Sequence, residues 1–165
     1  MGIKNSTKGD VQIAIDAIRS AQYQHVFLGT TKKGKVAIFK TSGNDDTHII
    51  LRGGLEPNYH PEDIENCRAD LERNEVNANI MVDFSHGNSQ KNHENQKKVS
   101  ASICDQIAGG NKDIVGVMIE SNLKEGNQKI SVDMEYGKSI TDACVNWEET
   151  MKLLNDLAQA VKARR

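Results

Sequence analysis

The chain has 165 residues, of which 37% are hydrophobic and 27% charged, and its formal net charge at pH 7 is −2. This composition fits one soluble domain over residues 1–165, and it argues against nucleic acid or an anionic membrane as partner. Without a transmembrane run or a recognisable signal peptide, the expected location is the cytoplasm. The widely spaced Cys67, Cys104 and Cys144 predict reduced thiols rather than a disulfide framework.

The first part of the chain predicts a helix followed by a hairpin. After the opening segment 1–4, Asp10 can cap a helix whose apolar residues recur at helical spacing. Two strand-like runs, 25–29 and 36–41, then flank a turn that contains Gly34. This pair of short runs predicts a β-hairpin.

The rest of the chain alternates apolar strands with helices. Strands that are apolar on both faces, each followed by a helix, indicate a parallel sheet covered by helices. The predicted fold class is therefore α/β. The elements are strand 48–52, helix 61–74, strand 79–86, helix 90–108, strand 114–120 and helix 146–163.

Three of the predicted strands end in a charged or titratable residue, namely Arg52, His86 and Glu120. Parallel strands place such ends on one rim, which is where α/β barrels build active sites. Taken singly, each residue has a structural alternative. His86 could be a surface histidine, Glu120 could cap the next segment, and Arg52 could pair with an acid such as Asp83.

A metal site is the chemistry that this rim suggests. Histidine and carboxylates form a mixed nitrogen and oxygen ligand set, which suits manganese, iron, cobalt or zinc and differs from a thiolate-rich structural site. Asp142, in a polar loop, could join His86 and Glu120 as a third ligand. Its alternative role is a helix N-cap together with Thr141.

Two basic residues are candidates for anion binding. Lys4 and Arg52 both adjoin apolar strand sequence and are expected to contact a phosphate or carboxylate. The lysines of the predicted polar helix are expected to form only a solvated face. They are Lys91, Lys97 and Lys98.

Four segments, in this order and spacing, resemble the microbial type I 3-deoxy-D-arabino-heptulosonate 7-phosphate (DAHP) synthase family. The similarity extends over essentially the whole chain, and four long motifs in register are specific. The segments are GIKNST at 2–7, HIILRGG at 48–54, DFSH at 83–86 and YGKSITDAC at 136–144.

The resemblance implies the second half of a (β/α)8 barrel. Family members are about twice as long, so this chain would hold the last four strands and helices with an inserted β-hairpin. The family's cysteine metal ligand and further phosphate-binding residues would lie in a first half outside this chain. A start placed within a longer reading frame, or a truncated gene, would explain Met1.

The resemblance also implies an activity and residue roles. The family condenses phosphoenolpyruvate with erythrose 4-phosphate, the first step of the shikimate pathway. His86, Glu120 and Asp142 would bind the divalent metal, and Lys4 and Arg52 would contact phosphoenolpyruvate. Lys4 would also donate a proton to the forming alkoxide. Lys4 and His86 would both be catalytic residues.

The family is regulated by aromatic amino acids through a pocket lined partly by the hairpin. Here that implies Phe27, Gly29 and Phe39 as effector-binding residues, with tyrosine as the effector because Gly29 stands where some relatives have serine. The full-length protein is expected to be a homo-oligomer. The alternative is that these residues only pack the hairpin.

Two other functions stay open at this point. The chain could be an inactive fragment that binds only metal or phosphate, or that pairs with a missing half. Half a barrel leaves two sheet edges and apolar surface uncovered, which favours association. It could also be an octulosonate phosphate synthase on the same fold, although the exact sequences of the motifs around Arg52, His86 and Asp142 argue against this.

Overall fold

The computed structural model describes the whole chain, residues 1–165. It contains six strands and four α-helices, and one short 3-10 segment precedes the third helix. In chain order the elements are β1 Gly2–Lys4, α1 Gln12–Gln22, β2 Val26–Thr30, β3 Val36–Lys40, β4 His48–Leu51, α2 Pro61–Arg73, β5 Asn79–Asp83, the 3-10 segment His93–Asn95, α3 Gln96–Ala108, β6 Ile114–Met118 and α4 Trp147–Arg164.

Four strands form one parallel sheet in the order β1-β4-β5-β6. Each of these strands leads to one of the four helices, so the sheet consists of four successive β/α units. Strands β2 and β3 form a separate antiparallel hairpin between α1 and β4, with Phe27 opposite Phe39. The α/β class, the parallel sheet and the inserted hairpin are therefore confirmed.

One face of the sheet packs against the helices. Residues of β4 and β5 that alternate along the strands, such as Ile49 and Val82, are fully buried in one cluster with apolar residues of α1, α2 and α3. Burying such aliphatic side chains is the main driving force for this layered arrangement. The cluster also includes Ile15, Ile18, Ile64, Leu71, Val99 and Ile103.

The opposite face of the sheet carries the polar residues. A Cβ atom on Gly2 would meet the side chains of His48 and Ile50, which places these residues on one face. Because side chains alternate along a strand, Lys4 at the end of β1 belongs to the same face. The salt bridge between Lys4 and Asp83 shows that Asp83 lies there too.

The strand after residue 79 and the helix after residue 90 are shorter than predicted. Strand β5 ends at Asp83, whose carboxylate accepts a hydrogen bond from the backbone N–H of Ser85 at 2.9 Å. Gln90 and Lys91 have φ angles of 53° and 59°, a left-handed conformation that a helix cannot contain. Helix α3 therefore begins only at Gln96.

Helix α4 is the longest helix, with 18 residues, and a side chain caps its N-terminus. The Asn146 side chain accepts a hydrogen bond from the backbone N–H of Glu149 at 2.8 Å, so Asn146 is the N-cap. The alternative role of Asp142 as the cap is therefore wrong. Neither α4 nor any other helix combines the length and apolar character needed to cross a membrane.

All three cysteines are free, as expected from their spacing. Cys67 is buried in the helix-facing core, and this burial raises the pKa of its thiol to about 12. A thiol with so high a pKa stays protonated near neutral pH and behaves as a small apolar core residue.

Candidate active site

The carboxyl ends of the parallel strands bring most of the predicted site residues to one rim. Lys4 ends β1 and Asp83 ends β5, while Arg52 follows β4 directly. His86 lies three residues beyond β5, and Glu120 lies two residues beyond β6. Parallel pairing makes these five positions neighbours although the first and the last, 4 and 120, lie 116 positions apart in the sequence.

His86, Glu120 and Asp142 form one cluster of possible metal ligands, as the sequence predicts. The Nε2 atom of His86 lies 3.6 Å from Oε1 of Glu120 and 3.9 Å from Oδ2 of Asp142. One ligand atom from each residue lies within 4.8 Å of the other two. Two ligands of the same ion lie roughly 3.0–3.5 Å apart, because metal–ligand bonds to nitrogen and oxygen are about 2.0–2.2 Å. Small side-chain shifts would therefore suffice to hold a divalent ion.

Asp83 was not predicted as a site residue, yet it contacts two that were. Its Oδ2 atom lies 2.7 Å from Nζ of Lys4 and 2.9 Å from Nδ1 of His86. The Asp83 side chain is fully buried. The alternative pairing of Asp83 with Arg52 is wrong, because Lys4 and His86 occupy its carboxylate.

The loop after β5 gives His86 its position. His86 has a φ angle of 56°, and the side chain of buried Asn88 donates to the carbonyl oxygens of Leu51 and Asp83 at 3.1 Å and 2.8 Å. The backbone N–H of Gly87 donates to the carbonyl oxygen of Arg52 at 3.0 Å. These bonds tie the loop to the end of β4, so His86 is held over the rim.

Glu120 is fixed by two polar neighbours rather than by a helix start. Its Oε2 atom accepts a hydrogen bond from the Ser85 hydroxyl at 2.6 Å. The amide of Gln96 donates to the backbone carbonyl of Glu120 and accepts from its backbone N–H, both at 3.0 Å. The alternative role of Glu120 as a cap is therefore wrong, and Gln96 is a supporting residue that sequence inspection missed.

A pocket of about 640 Å³ opens beside the metal-ligand cluster. Arg52 and Lys91 line it together with His86 and Asp142, so its wall combines cations with the possible metal ligands. Lys91 is exposed, as expected, but it belongs to the turn before α3 rather than to the helix. The pocket also contacts Thr7, Gly53, Gly54, Ser85, Ser89 and His93.

The three predicted effector-binding residues lie apart from this pocket, on the hairpin. The rings of Phe27 and Phe39 stack with centroids 5.7 Å apart and an interplanar angle of 15°. A Cβ atom on Gly29 would come within 2.9 Å of the Phe39 ring. The absence of a side chain at position 29 therefore leaves room for the Phe39 ring.

Comparison with known proteins identifies the family. The family model described as the DAHP synthetase I family matches residues 1–155. The chain belongs to the DAHP synthetase I family. This match confirms the resemblance drawn from the motifs around Arg52, His86 and Asp142.

Named relatives of the DAHP synthetase I family agree with this assignment. The Phe-sensitive phospho-2-dehydro-3-deoxyheptonate aldolase of Escherichia coli K12 is 53% identical over 167 residues, which cover 100% of this chain and 48% of that protein. The tyrosine-inhibited aldolase of Schizosaccharomyces pombe is 53% identical over 172 residues, covering 100% and 46%. The chain thus spans about half the length of the curated relatives it matches.

A solved structure shows the same fold. The phospho-2-dehydro-3-deoxyheptonate aldolase from Francisella tularensis SCHU S4 superposes with a TM-score of 0.95 at 53% sequence identity. The match covers 99% of this chain and 48% of that one. Together with the four β/α units, this result confirms half of a (β/α)8 barrel with an inserted hairpin.

Proposed function

We propose that this chain provides the metal and phosphoenolpyruvate sites of a DAHP synthase as a single domain over residues 1–165. The reaction condenses phosphoenolpyruvate with D-erythrose 4-phosphate and water to give DAHP and inorganic phosphate. The observation that carries the proposal is the cluster of His86, Glu120 and Asp142 beside a pocket lined by Arg52. No observation favours a fragment that binds ligands without turnover.

The three clustered side chains are the proposed metal ligands. One imidazole nitrogen and two carboxylates form a mixed donor set that suits manganese, iron, cobalt or zinc. When bound, the divalent ion would polarise the aldehyde carbonyl of erythrose 4-phosphate. Asp142 is 72% exposed, so its side chain is free to adjust toward an ion.

The basic residues are proposed to bind phosphoenolpyruvate and to move a proton. Arg52 lines the pocket, and the strand-end carboxylate of Asp83 is already engaged by Lys4 and His86. The Arg52 guanidinium is therefore available to a phosphate or carboxylate, which it can bind through two parallel hydrogen bonds. Lys4 is the proposed proton donor to the alkoxide that forms on the sugar, since its ammonium group lies on the same rim.

Phosphate release tests this proposal. The purified 165-residue chain is given phosphoenolpyruvate, erythrose 4-phosphate and Mn²⁺, and inorganic phosphate is measured over time. We expect release by the original chain and by a His25→Ala control in the hairpin, but none by His86→Ala, which lacks a metal ligand. Mn²⁺ binding without phosphate release by the original chain would instead indicate a fragment that binds metal and does not turn over.

We further propose that the hairpin takes part in binding an aromatic amino acid, with tyrosine preferred, at Phe27, Gly29 and Phe39. Half-exposed stacked rings offer an aromatic surface, and Gly29 leaves no side chain between that surface and a ligand. The relatives' names include both Phe-sensitive and tyrosine-inhibited aldolases. A homo-oligomeric full-length protein would help to cover the apolar hairpin, in which Leu28 and Ile38 are exposed.

Calorimetric binding of tyrosine and phenylalanine tests the effector proposal. The original chain should bind tyrosine more tightly than phenylalanine. In Gly29→Ser the preference should fall, because the added side chain would displace the Phe39 ring. Tighter binding of phenylalanine by the original chain, or no binding of either amino acid, would contradict the proposal.

A further inference from the structure

We infer that Asp83 is a positioning residue, which fixes His86 as a metal ligand and holds Lys4 beside it through one shared carboxylate oxygen. The inference rests on the proposed metal site and deepens it. Asp83 itself is not a ligand in this scheme, because its carboxylate contacts the side of His86 that faces away from Glu120 and Asp142.

The contacts of Asp83 leave neither oxygen free. Oδ2 lies 2.7 Å from Nζ of Lys4 and 2.9 Å from Nδ1 of His86, and Oδ1 accepts the backbone N–H of Ser85 at 2.9 Å. The side chain is fully buried, whereas those of Lys4 and His86 are partly exposed. A carboxylate that is held in three directions and shielded from water is a rigid support for its neighbours.

The position of Asp83 decides which nitrogen of His86 is available to a metal. A neutral imidazole carries one N–H, and a carboxylate acceptor beside Nδ1 favours the proton there. The lone pair then lies on Nε2, which faces Glu120 at 3.6 Å and Asp142 at 3.9 Å. A lone pair and two carboxylates that converge without a donor between them favour a bound cation.

Metal-ligating histidines commonly donate their second ring N–H to a carboxylate, which orients the ring and raises its basicity. The Nδ1 atom of His86 has no well-aligned hydrogen-bond partner, although the Asp83 oxygen is only 2.9 Å away. A small rotation of the ring would align this bond. We therefore expect metal binding to improve the contact between His86 and Asp83.

Lys4 is the charge partner of the buried Asp83 carboxylate. An unpaired buried carboxylate would be strongly unfavourable, and the Lys4 ammonium at 2.7 Å compensates it. The same oxygen thus links the proposed phosphoenolpyruvate contact to the proposed metal ligand. Binding of phosphoenolpyruvate at Lys4 should therefore change how Asp83 holds His86, and binding of metal at His86 should change how Asp83 holds Lys4.

The first test needs no substitution. In the metal-free chain, at a pH where the ¹⁵N shifts themselves show a neutral ring, long-range ¹H–¹⁵N NMR spectra report the tautomer of each histidine. His86→Ala assigns the signal by its loss. His86 should carry its proton on Nδ1, and a proton on Nε2 would overturn the inference.

The second test measures Mn²⁺ affinity by calorimetry. Asp83→Asn should bind Mn²⁺ about 10–100-fold more weakly, the usual effect of losing such a support. Asp133→Asn, which makes the same charge change in an exposed loop, should bind like the original chain. Circular dichroism checks that each variant is folded.

The two tests separate this inference from the proposed activity. Absence of phosphate release with Asp83-dependent Mn²⁺ binding would leave the positioning role intact while the activity fails. Unchanged Mn²⁺ affinity in folded Asp83→Asn, or no Mn²⁺ binding by the original chain, would overturn the role of Asp83.

Discussion

Replacing Gln96 with leucine should lower the free energy of unfolding by about 3 kcal/mol, because it removes two hydrogen bonds and leaves the backbone N–H of Glu120 without a partner, while the Glu120 carbonyl keeps only its bond from the N–H of Val145. Gln96 is fully buried, and its amide bonds both the N–H and the carbonyl of Glu120 at 3.0 Å. Leucine has a similar size but can make neither bond. Urea unfolding followed by circular dichroism measures the loss.

Gln106→Leu is the matched control for this prediction. Gln106 lies on the same helix, α3, and its amide donates to the carbonyl of Tyr59 at 2.8 Å, but its Oε1 atom has no partner. Its amide also donates to the Ser102 hydroxyl at 3.3 Å, but Gln106 is only partly buried, so water can replace these bonds and we expect a cost of only about 1 kcal/mol. Equal losses for the two variants would contradict the special role of Gln96.

Mn²⁺ affinity should also differ between Gln96→Leu and Gln106→Leu. Gln96 holds the backbone of Glu120, so its loss should let the carboxylate move away from His86 and weaken Mn²⁺ binding. Gln106 contacts Tyr59 and should leave Mn²⁺ affinity unchanged. If folded Gln96→Leu bound Mn²⁺ as tightly as the original chain, the two amide bonds would be structural only.

The positions of the metal-ligand candidates could be predicted because they depend on regular features. Apolar strands followed by helices indicate a parallel sheet, and parallel strands share a carboxyl edge. That reasoning places His86 and Glu120 together, and the structure agrees. For Asp142 the sequence left two roles open, a third ligand or a helix cap, because a loop residue follows no such periodicity.

The contacts within the rim could not be predicted, because they depend on register and on loop conformation. Lys4 pairs with Ile50 on β4, yet its long side chain reaches past that strand to Asp83 on β5. The polar residues before Gln96 have a composition compatible with a helix. Left-handed backbone at Gln90 and Lys91, stabilised by the surrounding loop, overrides that local preference.

Some supporting residues carry no signal in a single sequence. Gln96 and Asn88 are common polar residues, and nothing in their neighbourhood marks them as buried. Their importance comes from backbone groups far away in the chain, namely those of Glu120 and Leu51. Only the packed structure brings such partners together.

Gly54→Ala should destabilise the chain by about 3 kcal/mol or more, at or above the upper range for overpacking. A Cβ atom at position 54 would lie 2.3 Å from the backbone nitrogen of Gly9 and 2.5 Å from its Cα. Backbone atoms cannot rotate away as a side chain can, so the loops themselves would have to separate. Urea unfolding of the variant against the original chain measures this cost.

Gly34→Ala isolates the conformational part of a glycine substitution. Gly34 lies in the hairpin turn with a φ angle of 73°, and a Cβ atom there would meet nothing within 4 Å. Its cost should be about 1 kcal/mol, from the left-handed conformation alone. A loss at Gly34 as large as at Gly54 would contradict the close backbone packing at the rim.

Gly54→Ala should also weaken Mn²⁺ binding at the rim, whereas Gly34→Ala should leave it unchanged. Gly54 contacts Gly87 as well as Gly9, so one position joins the loops that carry Arg52 and His86. The added Cβ points at Lys8 and Gly9, so it would shift the Arg52 loop together with the backbone that packs against Gly87 beside His86, and this shift would displace both the proposed anion contact and the proposed metal ligand. Weakened Mn²⁺ binding in folded Gly54→Ala, with unchanged binding in Gly34→Ala, would show that backbone packing between these loops maintains the site.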